Sequence, residues 1–366
     1  MKECFDHNFR KASLFLWGLL MLVAMMSCKK DPLILPNPNE EQPIGTPLVI
    51  VIYGPNSLGD RSYCDLIYTG VERAAQSHGL RTLQFSPESE EEGLAYLETI
   101  ISEMEQTSDT VRRLLITPGV GYDAYIRANS HRLESNPRAD LLYLETTTPL
   151  EDKGSTLYID YYGAMYMGGC MVHYTADNMV SLVLANPHSQ SVIEAGEGFA
   201  AGFNESEGLE FLLLHTLYLS EDPVGGFTLS DSAAMGIVRD ESYYIDEDPK
   251  DFTLVPVCGG AMQSLIRAIR GTQLFAINQY IGIDGDMNAD SHFCPFSIVK
   301  HVDVVMEDYI RLWLEGAMPK HKTLGLADGA TDVIVGNPYT PNDLNLIDID
   351  SLRQVAVGKE AERWRK

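Results

Sequence analysis

The sequence predicts an α/β fold built on parallel sheets. Three observations carry this. Short runs rich in Val, Ile and Leu recur without polar alternation, beginning at Leu48 to Tyr53, as in strands covered on both faces. Each run is followed by apolar residues at helical spacing, first Leu66, Ile67, Val71, Ala74 and Ala75. The strand–helix alternation then repeats, which implies right-handed parallel crossovers. In such sheets the loops leaving the carboxyl ends of the strands form the ligand crevice. Asp60 to Asp65, Gly119 to Tyr122, Gly259-Gly260 and Asp284 all follow expected strands. They are expected to face one cleft, with Ser62, Tyr63 and Cys64 among them.

The first 27 residues stand apart. Lys2, Arg10 and Lys11 precede the apolar run Leu14 to Met26, which ends in Ser27-Cys28. This reads as a secretory signal, too short to span a bilayer comfortably. A small residue followed by Cys resembles a bacterial lipobox and implies acylation at Cys28. Residues 28–47 carry five prolines, at 32, 36, 38, 43 and 47, and read as an extended tether. The chain of 366 residues, 45% hydrophobic, has length and apolar content for two domains. Residues 1–27 hold three basic and two acidic residues, so their removal takes the net charge from −25 to −26. Such a surface repels nucleic acid and anionic lipid, which excludes phosphate-tracking functions. Solubility alone accounts for most of it.

Taken in order, Ser62 and Asp65 suggest a capping box opening the first helix, which runs to His78. Arg81 to Ser86 is a strand and Glu88 to Gln106 a helix, its leading glutamates suited to a helix start. Leu114 to Thr117 is a strand, followed by a helix ending near His131, then the strand Leu141 to Glu145. Thr146 to Ser155, with Pro149 and Gly154, is read as the first crossing between domains. Leu157 to Asp160 is then a strand and Gly163 to Asp177 a helix rich in small residues. Strands at 180–185, 210–217, 252–257 and 275–283 alternate with helices at 191–204, 229–239 and 262–270. The acidic segment 241–251 is a surface loop. Phe296 to Val299 crosses back, Val302 to Glu315 is an amphipathic helix, Thr331 to Val335 a late strand and Asp350 to Lys366 a closing helix. The lobes are expected as 48–150 plus 296–320 and 151–295 plus 321–366.

Four cysteines remain beyond Cys4 and Cys28: Cys64, Cys170, Cys258 and Cys294. They lack CxxC spacing or a His-rich neighbourhood, so a zinc site is not expected. Buried thiols, or one disulfide, fit them. Asp284-x-Asp286-x-Asn288-x-Asp290 resembles the opening of a calcium loop, but Ala289 and Pro295 replace its required Gly and Glu. Gly119-x-Gly121 lacks the third glycine of a dinucleotide fingerprint. No metal and no cofactor is expected.

Three stretches together resemble the basic membrane protein (BMP) family of bacterial substrate-binding lipoproteins. They are Gly59-Asp60-Arg61-Ser62-Tyr63-Cys64-Asp65 with Tyr68 and Gly70, Gly282-Ile283-Asp284-Gly285-Asp286, and Ser297-Ile298-Val299-Lys300-His301-Val302-Asp303. The turn Cys258-Gly259-Gly260 matches more loosely. Order and spacing agree over roughly residues 48 to 335. The resemblance implies a type I periplasmic-binding-protein fold, two doubly wound parallel-sheet domains joined by a three-segment hinge. It also implies capture of a small polar metabolite such as a purine nucleoside, handed to an ABC permease from a lipid anchor on the cell envelope.

A nucleoside needs aromatic faces, acceptors for hydroxyls and a few donors. Tyr63 and Tyr122 are the stacking candidates, against a plain role in packing. The resemblance assigns Asp284 to ribose hydroxyls and Lys300 to the sugar, with Lys300 also compensating Asp284. Asp60, Asp65 and Gly259 complete the expected ligand site, although capping alone would explain one of the aspartates. Cys64 stands where the family often has Asn, which weakens the expected base contact. A sensor presenting ligand to a membrane receptor or kinase is the second reading. An enzyme acting on a nucleoside or sugar is the third, and no G-x-S-x-G, Walker or H-E-x-x-H motif supports it.

Overall fold

The computed structural model describes residues 45–365 except 177, 207–211, 245–250, 272–278, 288–292, 336–343 and 345. The expected signal segment, Cys28, most of the tether and the heart of the calcium-like loop lie outside these residues. Among the described residues no helix is long and apolar enough to cross a membrane.

The chain runs β1 (Leu48–Ile52), α1 (Tyr63–His78), β2 (Arg81–Phe85), α2 (Glu90–Gln106), β3 (Arg113–Thr117), α3 (Asp123–Asn129), β4 (Ala139–Leu144) and β5 (Ser155–Ile159). It continues through α4 (Tyr162–Met171), β6 (Met179–Leu184), α5 (Gln190–Glu205), β7 (Leu213–Tyr218), α6 (Asp231–Ser242), β8 (Phe252–Val257), α7 (Ala261–Gly271), β9 (Gln279–Tyr280) and β10 (Gly282–Asp284). The remainder is β11 (Ser297–Lys300), α8 (Val302–Glu315), β12 (His321–Leu324), β13 (Thr331–Ile334) and α9 (Ile349–Arg363).

The first sheet has the order β12-β5-β4-β3-β1-β2 and is parallel throughout. Every residue of β1 is buried because each face has its own core. Val49 and Val51 pack beneath α1 and α8, while Leu48, Ile50 and Ile52 pack beneath α2. That is the physical reason β1 reads as an unbroken apolar run. The second sheet repeats the order as β7-β6-β8-β9. A three-stranded sheet, β10-β11-β13, adjoins it through Ile281, whose N–H donates to the Leu254 carbonyl. In it β13 runs antiparallel to β11, a departure from the all-parallel expectation.

The expected division at residue 150 does not match the strand pairing. β5 pairs with β4, and β12 pairs with β5, so both belong to the first sheet. β12 was not foreseen at all: HKTL carries three polar residues because it is an edge strand with exposed and half-buried positions. Conversely β11, expected with the first lobe, pairs in the three-stranded sheet, and only α8 after it returns to the first core. The chain thus crosses between sheets at Asp160-Tyr161, at His301 and at Gly325.

Two contacts fix the frame around these crossings. Helices α4 and α5 touch backbone to backbone, which explains the small residues in both. A Cβ on Gly202 would fall 2.0 Å from the Tyr166 carbonyl oxygen, and one on Gly169 2.1 Å from that of Phe199. Helix α9 lies over the hinge. The Glu360 carboxylate accepts the N–H of Gly163 (3.0 Å) and of Leu326 (3.0 Å), which lie just past the first and third crossings. Asp160, wholly buried, accepts Trp364 Nε1 at 2.6 Å and the Tyr162 N–H at 2.9 Å, with Arg363 beside it at 3.4 Å. Burial and the neighbouring Asp160 push Glu360 up to about 8.

Two outcomes follow from these contacts. Gly202→Ala forces two backbones apart and should lower unfolding free energy by about 1–3 kcal/mol, read from the urea midpoint; an unchanged midpoint refutes the contact. Glu360 titrates higher in the folded chain than in the unfolded one. Its stabilisation is therefore complete below about pH 4.5 and lost as pH rises through 8. Unfolding measured from pH 5 to 9 should show Glu360→Gln gaining stability relative to wild type as pH rises, and a difference independent of pH contradicts the assignment.

Candidate functional site

A doubly wound sheet opens where consecutive connections leave to opposite faces, and here that happens twice. In the first sheet the gap lies between β1 and β3, in the second between β6 and β8. The loops from these four strand ends face one cavity of about 410 Å³. Gly54 to Ser57 and Pro118 to Tyr122 line it from the first sheet. Ser191, Val192 and Cys258 to Gly260 line it from the second. The volume suits a small metabolite.

The start of α1 is organised by Asp60. Its carboxylate accepts the N–H groups of Ser62 (2.8 Å), Cys64 (3.1 Å) and Asp65 (3.2 Å), three of the orphan donors of the helix start. Burial pushes its carboxyl up to about 6 against the pull of those three bonds. The expected capping box is absent, because Asp60 has already taken the N–H groups. Ser62 makes no side-chain cap. Its hydroxyl instead donates to Asp284 Oδ2 at 2.5 Å, joining the first lobe to the end of β10. Asp65 points away from the cavity and closes the loop before α1, accepting the N–H of Gly59 (2.7 Å) and Arg61 (2.9 Å).

Asp284 and Glu145 end β10 and β4 in the left-handed region, at φ of 64° and 59°. This conformation is costly for a residue with a Cβ and concentrates where side chains are aimed for binding. The Asp284 N–H donates to the Tyr161 hydroxyl oxygen at 3.0 Å, and that hydroxyl donates to the Ile298 carbonyl. Tyr161, at the first crossing, therefore sets the turn at Asp284.

Lys300 is buried at the end of β11. Its ammonium lies 3.4 Å from Glu145 Oε1, 5.4 Å from the centre of the Tyr63 ring and 4.9 Å from that of Tyr161. The expected pairing of Lys300 with Asp284 is replaced by this one: Ser62 already engages Asp284, and the left-handed turn at 145 carries Glu145 to the ammonium. Glu145 Oε2 is buried without a hydrogen-bond partner. Burial and the Glu145 carboxylate hold the Tyr63 hydroxyl well above its usual pKa.

Of the seven ligand residues expected from the sequence, Asp60, Tyr63, Tyr122, Gly259, Asp284 and Lys300 all border the cavity. Asp65 does not. Tyr122 borders it as packing: its side chain is fully buried between Gly93 and Gly119, and its hydroxyl donates to the Tyr53 carbonyl at 2.9 Å. It has no ring face free for stacking. Gly259 sits at φ 51° before α7, where a Cβ would meet Phe227. Sequence reading missed Glu145, Tyr161 and Phe227. Glu145 was within reach of the same strand-end rule that found Asp284, but the segment after it was read as a linker. Cys64 and Cys258 also border the cavity; burial raises both thiols far above their usual pKa, so neither is a thiolate nucleophile. Cys64, Cys170, Cys258 and Cys294 are free thiols. No cluster of three metal-ligating side chains occurs among the described residues.

No protein-family model and no curated protein matches this chain. Solved structures do. A solute-binding protein of an ABC transporter system from Aeropyrum pernix K1 is similar at 17% identity and a TM-score of 0.65, over 86% of this chain and 92% of that one. A transcriptional activator of the comK gene from Bacillus halodurans gives 15% and 0.61, over 86% and 98%. The periplasmic component of an ABC-type sugar transport system from Hahella chejuensis gives 13% and 0.54, over 79% and 100%. The fold is that of the type I periplasmic binding proteins. At these identities the likeness carries the fold and nothing finer.

Proposed function

We propose that this chain is a solute-binding protein that captures a small polyhydroxylated metabolite in the cavity and presents it to an ABC importer. One observation carries the reading. The three stretches that resemble the BMP family contribute Asp60 and Tyr63, then Asp284, then Lys300, to a single cavity, and Ser62 of the first bonds Asp284 of the second, 222 residues further along. The solute-binding proteins among the structural neighbours support the same class.

In this reading Asp284 accepts ligand hydroxyls, Lys300 donates from its place beside Glu145, and Tyr63 offers a ring face. A nucleoside or a monosaccharide meets these demands. The lobes are proposed as residues 48–159 with 302–324, and 161–300 with 326–365. They move about the crossings at Asp160-Tyr161, His301 and Gly325, so closure buries the ligand and alters the surface a permease reads. Acylation at Cys28 would hold the protein to a membrane of the cell envelope.

Ligand retained through native purification and identified by mass spectrometry names the solute. Asp284→Ala and Lys300→Ala should each weaken its binding by roughly 10–150-fold, the equivalent of one lost charged hydrogen bond, in titration calorimetry with circular dichroism unchanged. Wild-type affinity in both variants would refute the site. Cys28→Ser should move the protein from the membrane fraction to the soluble fraction of fractionated cells; continued membrane retention refutes the anchor.

A further inference from the structure

The cavity carries more negative charge than a neutral ligand can use. Among the described residues that line it, Asp60, Glu90, Glu145 and Asp284 are acidic and Lys300 is the single cation. Asp60 is committed to the helix start by three backbone bonds. Lys300 is committed to Glu145 Oε1 and to two tyrosine rings. Glu90, Glu145 and Asp284 then outnumber it by two. Glu90 stands at the start of α2 beside Gly121, within 3.2 Å of where a Cβ there would sit.

Glu145 gives the sharper indication. Its side chain is 93% buried, with 7% exposed; the Tyr63 hydroxyl stands close to the carboxylate, and Oε2 makes no hydrogen bond of ordinary geometry. An unmatched carboxylate oxygen in a closing cleft is costly. The left-handed backbone at residue 145 holds it there at the expense of further strain. A ligand hydroxyl would supply one hydrogen bond and leave the excess charge in place. An ammonium supplies donors and charge together. The aromatic faces of Tyr63 and Tyr161 already stabilise one ammonium in this pocket, that of Lys300. Anionic solutes meet three carboxylates and are repelled.

Resting on the solute-binding reading, we infer that the ligand is a polyhydroxylated metabolite bearing a protonated amine, of the amino-sugar class, with the amine seated against Glu145 Oε2 and the hydroxyls against Asp284. Glu145 is then the residue that sets specificity for charge.

The test uses the full mature chain and matched probes that differ only at one substituent: monosaccharides, their amino and N-acetylamino forms, and their monophosphates, with the common nucleosides added. Thermal unfolding screens the panel and calorimetry measures the hits. At least one amino sugar is expected to bind at least tenfold more tightly than its hydroxyl and N-acetyl counterparts, and no monophosphate is expected to bind. Glu145→Gln should reduce that preference to within about threefold, and Glu145→Asp, which keeps the charge, should restore part of it. Preferential binding of a neutral sugar or nucleoside, or of a monophosphate, overturns the charge assignment and leaves the solute-binding reading standing. An amino-sugar preference unchanged in Glu145→Gln overturns the role of Glu145. Absence of binding by any amino sugar overturns the inference, and absence of binding by the whole panel counts against both.

Discussion

Buried carboxylates held by backbone N–H groups are the constraint on which this molecule turns. Asp60 gathers three such groups and so fixes where α1 begins, which in turn aims Tyr63 at the cavity and Ser62 at Asp284. Glu360 gathers N–H groups from two separate crossings, and Asp160 joins one crossing to the indole of Trp364, just past α9. A carboxylate serves here because helix starts and strand ends leave donors with no partner in the regular ladders. Each of these acids is buried, so its removal strands several donors at once.

The site inherits its geometry from the same economy of donors and acceptors. The turn at Asp284 is set by Tyr161, whose hydroxyl accepts from one backbone group and donates to another. Ser62, released from capping by Asp60, reaches across to Asp284. Lys300 is pinned by Glu145 and two rings rather than by Asp284. The cavity is therefore shaped by Tyr161 at the first crossing, Lys300 just before the second, and the ends of strands far apart in sequence.

Much of this was legible in the residues. The apolar runs marked the inner strands because strands buried on both faces have no alternation to hide. The rule that crevices open at strand ends found Asp60, Tyr63, Gly259 and Asp284 around one cavity, and the resemblance to the BMP family added Lys300. What failed did so for physical reasons. β12 carries polar residues because it lies at a sheet edge, so it was invisible to an apolar scan, and the lobe boundary moved with it. Ser62 and Asp65 fit a capping spacing, but spacing cannot show that a third acid has already taken the donors. Tyr122 had the right residue type in the right loop, yet its hydroxyl found a carbonyl in the core. Glu145 was passed over because a left-handed turn, not a helix or strand, presents it.

The position of α9 in the chain has a bearing on assembly. During synthesis both sheets can be complete, β13 included, before residues 349–363 exist to cover the first and third crossings. Until then the Gly163 and Leu326 amides lack their acceptor and Asp160 lacks Trp364. The nascent lobes would be formed yet loosely articulated, and the working range of their relative motion would be set in one late docking step between distant segments. A chaperone or protease would therefore meet two finished halves on an unfastened joint, and the length of that window would depend on how fast the last helix emerges.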